Sequence, residues 1–362
     1  MISQKGKKVY VGLSGGVDSA VSLALLQKAG YDVTGVFIKV WQPDWIECSS
    51  REDRHDAMRV AAHLNVPFVT LDLEKEYKEG VIDYMISEYK VGRTPNPDVM
   101  CNREVKFGAF WKWAKNNGAD YIATGHYAQV TPDRKMLMGN DSNKDQTYFL
   151  WTLERSDLSH VLFPVGHLPK PEVRKLAKKF HLPNAVKKDS QGLCFIGKID
   201  VKDFLRHYIK EQPGNVLDNK GKIIGLHTGA LLYTIGERHG FEIYSKTPND
   251  TPYYVISKNV EQNTITVSNK KDNDILPGGK NEVELEKVTW VSGKPPEGNH
   301  VIHSFPFQTR SRYRQELQNV RIISASDGKA KIEFENIQDT LTPGQSLVIY
   351  KDEECLGGGI IL

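Results

Sequence analysis

Val9-Tyr10-Val11-Gly12-Leu13, followed at once by Ser14-Gly15-Gly16-Val17-Asp18-Ser19, decides how this chain folds. An apolar run of strand length ends in a short loop with two adjacent glycines, and a helix begins near Asp18. Adjacent glycines let the backbone approach a charged ligand closely. The helix turns its unpaired N–H groups and positive dipole end toward that ligand. Ser14 and Ser19 add hydroxyl donors. Asp18 adds a carboxylate able to help hold Mg2+ indirectly. The pattern is a phosphate cradle with a metal handle.

A P-loop would end in Lys-Ser or Lys-Thr, and a dinucleotide fold would carry G-x-G-x-x-G; neither is present. The residues instead resemble the loop of N-type ATP pyrophosphatases, which split ATP between its α and β phosphates. That resemblance implies ATP at Gly12, Leu13, Ser14, Gly15, Gly16, Val17, Asp18 and Ser19, and transfer of AMP to a substrate oxygen. A tight turn of small residues is the plainer alternative, but strand, loop and helix stand in the order a cradle requires.

Length and composition bound the rest. A chain of 362 residues has room for two or three cores. Hydrophobic residues at 39% and charged residues at 26% argue for a globular protein and against a disordered or membrane one. No apolar run reaches membrane-spanning length, and the N-terminal residues lack a signal-peptide core, so the expected location is cytoplasmic with no membrane partner. A formal charge of +3 leaves any nucleic-acid contact to local patches. Cys48, Cys101, Cys194 and Cys355 form no C-x-x-C pair, which argues against structural zinc.

From about residue 7 to 205 strands and helices alternate, predicting an α/β fold with a parallel sheet covered by helices. Val33–Val40, Val66–Leu71 and Tyr121–Thr124 read as further strands, and Glu52–Leu64 and residues 74–90 as helices. Ligands in such sheets sit beyond the carboxyl ends of the strands. An adenine pocket near Ile38 and Gly125 is therefore expected. Glycines and short turns mark residues 211–280, with strand-like Pro252–Ser257 and Thr264–Ser268. From 281 to 362, strand-like segments separated by turns predict a small antiparallel β-barrel. The expected division is a catalytic domain over 1–210, a small central domain over 211–280 and a barrel over 281–362.

Cys101 lies in Thr94-Pro95-Asn96-Pro97-Asp98-Val99-Met100-Cys101-Asn102, a proline-stiffened loop expected to enter a helix near Arg103 with Asn102 as its cap. A thiol beside that helix start would have its pKa lowered, and Asp98 is near enough for proton transfer. Cys194 follows Lys187-Lys188-Asp189, where two lysines favour a thiolate. Taken alone, either cysteine is as readily a buried small residue. Cys48 and Cys355 read as structural. Two basic stretches, Lys170 to Lys188 and Arg310-Ser311-Arg312-Tyr313-Arg314, are candidate RNA contacts, with a solvated charged face as the alternative.

Taken together, the motifs resemble the bacterial-type tRNA-specific 2-thiouridylases (tRNA-uridine 2-sulfurtransferases, the MnmA/TrmU family). The likeness runs from Gly12–Ser19 through Asn96-Pro97-Asp98 with Cys101, Gly125-His126-Tyr127, Lys144-Asp145-Gln146 and Asp189-Ser190-Gln191-Gly192 with Cys194. It continues through Gly236-Glu237-Arg238-His239-Gly240, Arg312-Tyr313, Pro343-Gly344-Gln345 and Cys355–Gly359. It implies thiolation at C2 of the wobble uridine of Lys, Glu and Gln tRNAs. ATP would first adenylate the C2 oxygen, and a persulfide on Cys194, loaded by a sulfur-relay donor, would supply sulfur. Cys101 would resolve the exchange through a transient disulfide that a thiol reductant resets. The same resemblance assigns tRNA contacts to Asn96, Pro97, Asp98, His126, Lys144, Asp145, Gln146, Arg312, Tyr313 and Gln345. Glu237 stands where many relatives carry Gln.

Three rival readings stay open: an ATP pyrophosphatase amidating a small metabolite, a persulfide-independent transferase acting on another RNA position, and an RNA-binding protein with an inert nucleotide fold. The first has no use for two cysteine motifs or a barrel. An intact Gly15, Gly16, Asp18 and Ser19 argues against the last.

Overall fold

The computed structural model describes residues 5–45, 50–189, 200–245, 251–269, 280–296, 304–338 and 341–362. Cys48 and Cys194 lie outside the described residues.

The first sheet contains β1 (Lys8–Gly12), β2 (Asp32–Lys39), β3 (Phe68–Asp72), β4 (Tyr121–Ala123) and β7 (Val161–Leu162). All are parallel, in the order β3-β2-β1-β4-β7. Alternate residues of β1 and β2 face opposite cores, as the two-residue period of a strand requires. Val9, Val11, Leu13 and Phe37 pack with helix α1 (Val17–Lys28), whereas Tyr10, Val36 and Ile38 pack on the other side. The strand order reverses at β1, which has β2 on one side and β4 on the other. That reversal opens a crevice beyond the carboxyl ends of β1 and β4, the usual ligand position in such sheets. The glycine loop and Gly125 both emerge there.

Residues 74–90 are helical as the periodicity predicts, with a wider-wound stretch over Lys78–Asp83. The helix carrying Cys101 starts earlier than its sequence suggests. Asn96, not Asn102, is the cap: its Oδ1 accepts from the N–H groups of Asp98 (3.2 Å) and Val99 (3.4 Å). Pro97 then occupies the first helical position, where its fixed φ and missing N–H cost nothing. Asn102 is already inside the helix and donates to the Phe149 carbonyl at 3.0 Å.

A second, five-stranded sheet follows, ordered β10-β9-β8-β12-β11, from β8 (Gly214–Leu217), β9 (Ile223–His227), β10 (Phe241–Ile243), β11 (Tyr254–Asn259) and β12 (Thr264–Ser268). The barrel runs β13 (Lys280–Trp290), β16 (Lys329–Gln338), β15 (Gln318–Ser326), β14 (Phe307–Arg310), β17 (Ser346–Lys351), β18 (Glu354–Ile361), and a β13–β18 pairing closes it. Closure leaves the six strands no free edge. The predicted antiparallel barrel is present, filled by Phe307, Ile322, Ile332, Phe334 and their neighbours.

One junction was not legible in the sequence. A hairpin of the first domain, β5 (Ala128–Val130) with β6 (Met136–Met138), adds to the barrel sheet through Met136 opposite Cys355 and Leu137 opposite Glu354. Cys355 is wholly buried there, and burial pushes its thiol pKa up to about 12. It is structural, as expected. Among the described residues no helix is long and apolar enough to cross a membrane.

Candidate active site

The glycine loop is shaped by close contact. Gly15 has φ +75°, a conformation side chains disfavour, and a Cβ there would lie 2.4 Å from the Asp53 carbonyl oxygen. Helix α2 (Ser50–His63), which carries Asp53, therefore presses directly on the loop. Gly125 is needed for a similar reason, since its Cβ would fall 2.7 Å from the Ser19 nitrogen. The loop and the end of β4 thus meet at the crevice. Ile38 lies near the carboxyl end of β2 on the same edge, but its side chain is buried in the apolar core.

Asp18 lies in the first turn of α1 and is bound by a cation. Lys170 Nζ meets its two carboxylate oxygens at 2.7 and 2.8 Å, and the Tyr127 hydroxyl donates to Oδ1 at 2.8 Å. Burial and the neighbouring Asp18 carboxylate raise the Tyr127 pKa, so the phenol stays a donor. Lys170 also reaches Asp189 at 2.8 Å, which in turn holds Lys144 at 2.7 Å and Arg174 at 2.5 Å. Burial opposes ionisation of Asp189, but hydrogen bonds from Lys144 and Lys170 outweigh it and hold its carboxyl below the usual range. Lys187 bridges Asp53 (2.7 Å) and Asp56 (2.6 Å) of α2. The expected basic run is therefore not a row of free phosphate grips. Lys170, Arg174 and Lys187 are tied to carboxylates; Asp189 stands beside the run in sequence, whereas Asp18, Asp53 and Asp56 are distant in the chain and spacing could not reveal them.

That pairing bears on the metal. With both Asp18 oxygens against an ammonium, Asp18 does not fit as a direct ligand of a divalent ion. Among the described residues no three His, Cys, Asp or Glu side chains gather as a metal site.

A second cluster converges on Cys101. Cys101 is fully buried one turn into its helix, and Asp98 is half-buried at the helix start. Gln345 from the barrel donates to the carbonyls of Thr94 (2.8 Å) and Pro95 (3.2 Å), fixing the approach to Asn96-Pro97-Asp98. The Tyr148 hydroxyl donates to Ser311 O at 2.9 Å, and the Phe149 ring lies 4.7 Å from that of Tyr313. Arg312 and Arg314 are exposed beside it and donate to Ile235 O (3.3 Å) and Asn143 O (3.0 Å). Gln345 and Phe149 thus meet the segment from Thr94 to Asn102, and residues 311–313 pack in turn on Tyr148 and Phe149.

The remaining motif residues are more internal. His126 is 8% exposed, its Nδ1 2.7 Å from Thr124 Oγ1, and burial lowers its pKa, leaving it neutral near pH 7. Asp145 is 2% exposed and accepts from Gly139 N, Thr147 N and Thr147 Oγ1, with Arg310 at 3.6 Å. Its carboxylate is engaged within the protein. Gln146 Oε1 accepts from Tyr127 N at 3.0 Å. Glu237 contacts Lys202 and accepts from Thr234 N at 3.1 Å.

Comparison with known proteins agrees with this fold. Residues 7–198 match the family described as tRNA methyl transferase HUP domain, residues 202–269 its PRC-barrel domain, and residues 280–361 an aminomethyltransferase beta-barrel domain. The tRNA-specific 2-thiouridylase MnmA of Geobacillus thermodenitrificans is 45% identical over 360 residues, covering 98% of this chain and 94% of that protein. Its counterpart from Nitrosomonas europaea is 43% identical and covers 98% of each. The chain belongs to the tRNA-specific 2-thiouridylase family. The U34-tRNA thiolase NcsA of Methanococcus maripaludis is a looser structural likeness, with TM-score 0.37 and 18% identity over 58% of this chain and 69% of that one.

Within this 2-thiouridylase-family chain, sequence reasoning missed Tyr127, Asn184 and the carboxylate partners of its lysines as parts of the cradle. Tyr127 directly follows Gly125-His126, and that adjacency was the one available signal.

Proposed function

We propose that the chain is an ATP-dependent tRNA-uridine 2-sulfurtransferase acting on the wobble uridine of Lys, Glu and Gln tRNAs. The observation that carries this reading is the linkage of the Asn96–Cys101 helix start to Gln345 and Phe149, and through Tyr148-Phe149 to Arg312-Tyr313. The Asn96–Cys101 and Tyr148-Phe149 members of this cluster lie in the same domain as the phosphate loop at the sheet's switch point, and the barrel supplies the rest. ATP, when bound, supplies the adenylyl group that turns the poor C2 oxygen leaving group into a good one. The loop N–H groups would hold its phosphates, and Mg2+ would come with those phosphates, with Asp18, already paired with Lys170, reaching it only indirectly.

The target base must leave its stack, at a cost of a few kcal/mol that is least in a loop. Contacts from Arg312, Tyr313, Lys144 and Gln345 would offset that cost. Asn96, Pro97 and Asp98 would face the base, with Asp98 as acid/base partner, and His126 and Gln146 would line the approach. Asp145 would contribute by holding Lys144 and Gln146 in place. A donor protein would leave a persulfide on Cys194, whose outer sulfur attacks C2 as AMP departs. The Cys101 thiolate would then attack the Cys194 sulfur, releasing the thiocarbonyl and forming a Cys101–Cys194 disulfide. A thiol reductant would return the two electrons that reopen it.

Pyrophosphate release from ATP, measured with and without tRNA and with 2-thiouridine quantified in parallel, tests the reading. Release is expected only with tRNA. Release that ignores tRNA, or follows a small amide acceptor, rules it out.

The exposed arginines carry a further expectation. Replacing both, Arg312→Ala with Arg314→Ala, should weaken tRNA binding and reduce its log–log salt slope by about 1 to 2, since each lost phosphate contact removes about one released counterion. Binding isotherms at several salt concentrations, with a melting curve as control, decide it. Unchanged affinity and slope would make the segment a solvated face.

A further inference from the structure

Asn184 follows the Lys170–Lys179 helix and is 5% exposed. Its side-chain amide donates to the Gly15 carbonyl at 2.9 Å and the Gly16 carbonyl at 3.1 Å. Both partners can only accept, so chemistry dictates that the nitrogen, not the oxygen, faces the loop. Its Oδ1 is buried without a partner among the described residues. Burying an unmet acceptor is unfavourable, and the grip of the donor end offsets it.

A peptide unit is planar and trans, so a carbonyl pinned in one direction sends the next N–H the opposite way. Holding the Gly15 carbonyl therefore directs the Gly16 N–H away from Asn184. At Gly16 the amide adds to bonds that its carbonyl also accepts from Ser19 Oγ (3.1 Å) and Ala20 N (3.3 Å), which turn the Val17 N–H the same way. The Gly16 N–H donates to Ser14 Oγ at 3.3 Å, a bond on the exposed side of the loop. Val17 is the first residue of α1, where N–H groups have no helical partner. The segment after Asn184 braces the opposite side of the same glycine. Arg174 bonds the carbonyls of Ala185 and Lys187, and Lys187 holds Asp53, whose own carbonyl abuts Gly15.

We propose that Asn184 is a positioning residue of the phosphate loop, which sets the direction of its N–H groups and thereby its affinity for a nucleoside triphosphate without touching it. The inference rests on reading the loop as an ATP site.

Asn184→Asp tests it, because the change is nearly isosteric yet turns the donor into an acceptor facing two carbonyls. Calorimetry with α,β-methylene-ATP and Mg2+ should show affinity falling about tenfold or more. KM for ATP should rise in step, while kcat at saturating ATP stays within about threefold. Binding of tRNA alone should not change. If the aspartate variant does not fold, Asn184→Ala removes the donor without adding repulsion and should show the same split to a smaller extent. An affinity within about twofold of wild type in a folded variant, or lower stability at unchanged KM, overturns the proposal. Failure of the wild-type chain to bind the analogue would instead overturn the ATP reading itself.

Discussion

Cys194→Ser is expected to form no 2-thiouridine, whereas Cys101→Ser should still take up sulfur and then stall. The two thiols differ in setting. Cys194 follows Lys187-Lys188-Asp189 in the motif that resembles the persulfide carrier. Cys101 stands one turn after Asp98 on a helix whose start is held by Asn96 and, through Thr94 and Pro95, by Gln345. Loss of the carrier removes the sulfur nucleophile. Loss of the resolving thiol leaves sulfur loaded and should slow repeated turnover by about a hundredfold or more. Pyrophosphate release should survive in both variants, because the phosphate loop contains neither residue. Mass spectrometry after treatment with a persulfide donor locates the extra sulfur. A stable persulfide on Cys101, with Cys194→Ser still active, would reverse the assignment. Full activity of both variants would remove sulfur transfer by these cysteines.

Asp18→Ala should reduce tRNA-dependent pyrophosphate release by about 10²- to 10³-fold, the usual cost of losing one preorganised electrostatic contact at a reacting group. The carboxylate is the point at which α1, Tyr127 and Lys170 meet. Without it Lys170 retains only Asp189, and its ammonium is drawn away from the first turn of α1. The exposed Arg312 and Arg314 belong to a different cluster, so tRNA affinity should stay within about threefold of wild type, an effect well under 1 kcal/mol. Filter binding and a coupled pyrophosphate assay measure the two quantities separately. Undiminished pyrophosphate release would refute the role of Asp18.

The readings that succeeded were local. Val9 to Ser19 contains a strand, a turn that only glycine tolerates at Gly15, and a helix start, each specified by neighbours in sequence. The parallel sheet and the barrel followed from periodicity of the same short range. The helix start at Asn96 was misread because Asn102 also satisfies the capping pattern. What separates them is Pro97, which suits the first turn of a helix and makes Asn96 the cap. The pairing of Lys170 and Lys187 within the basic run from Lys170 to Lys188 is not legible in sequence for a different reason. Its charges are visible in sequence, but Asp18, Asp53 and Asp56, to which Lys170 and Lys187 bind, lie more than a hundred positions earlier.

By itself, then, the sequence determined the identity and order of the parts: the glycine loop after the first strand, the α/β sheet and the terminal barrel. These depend on backbone propensity and hydrophobic period, which operate over a few residues. Only the tertiary structure decided which parts meet. Gln345 reaches Thr94 and Pro95, Asn184 reaches Gly15 and Gly16, and the β5–β6 hairpin joins the barrel beside Cys355. Such contacts arise when buried polar groups must find partners, and the partner is set by how the sheets and helices pack, not by distance along the chain.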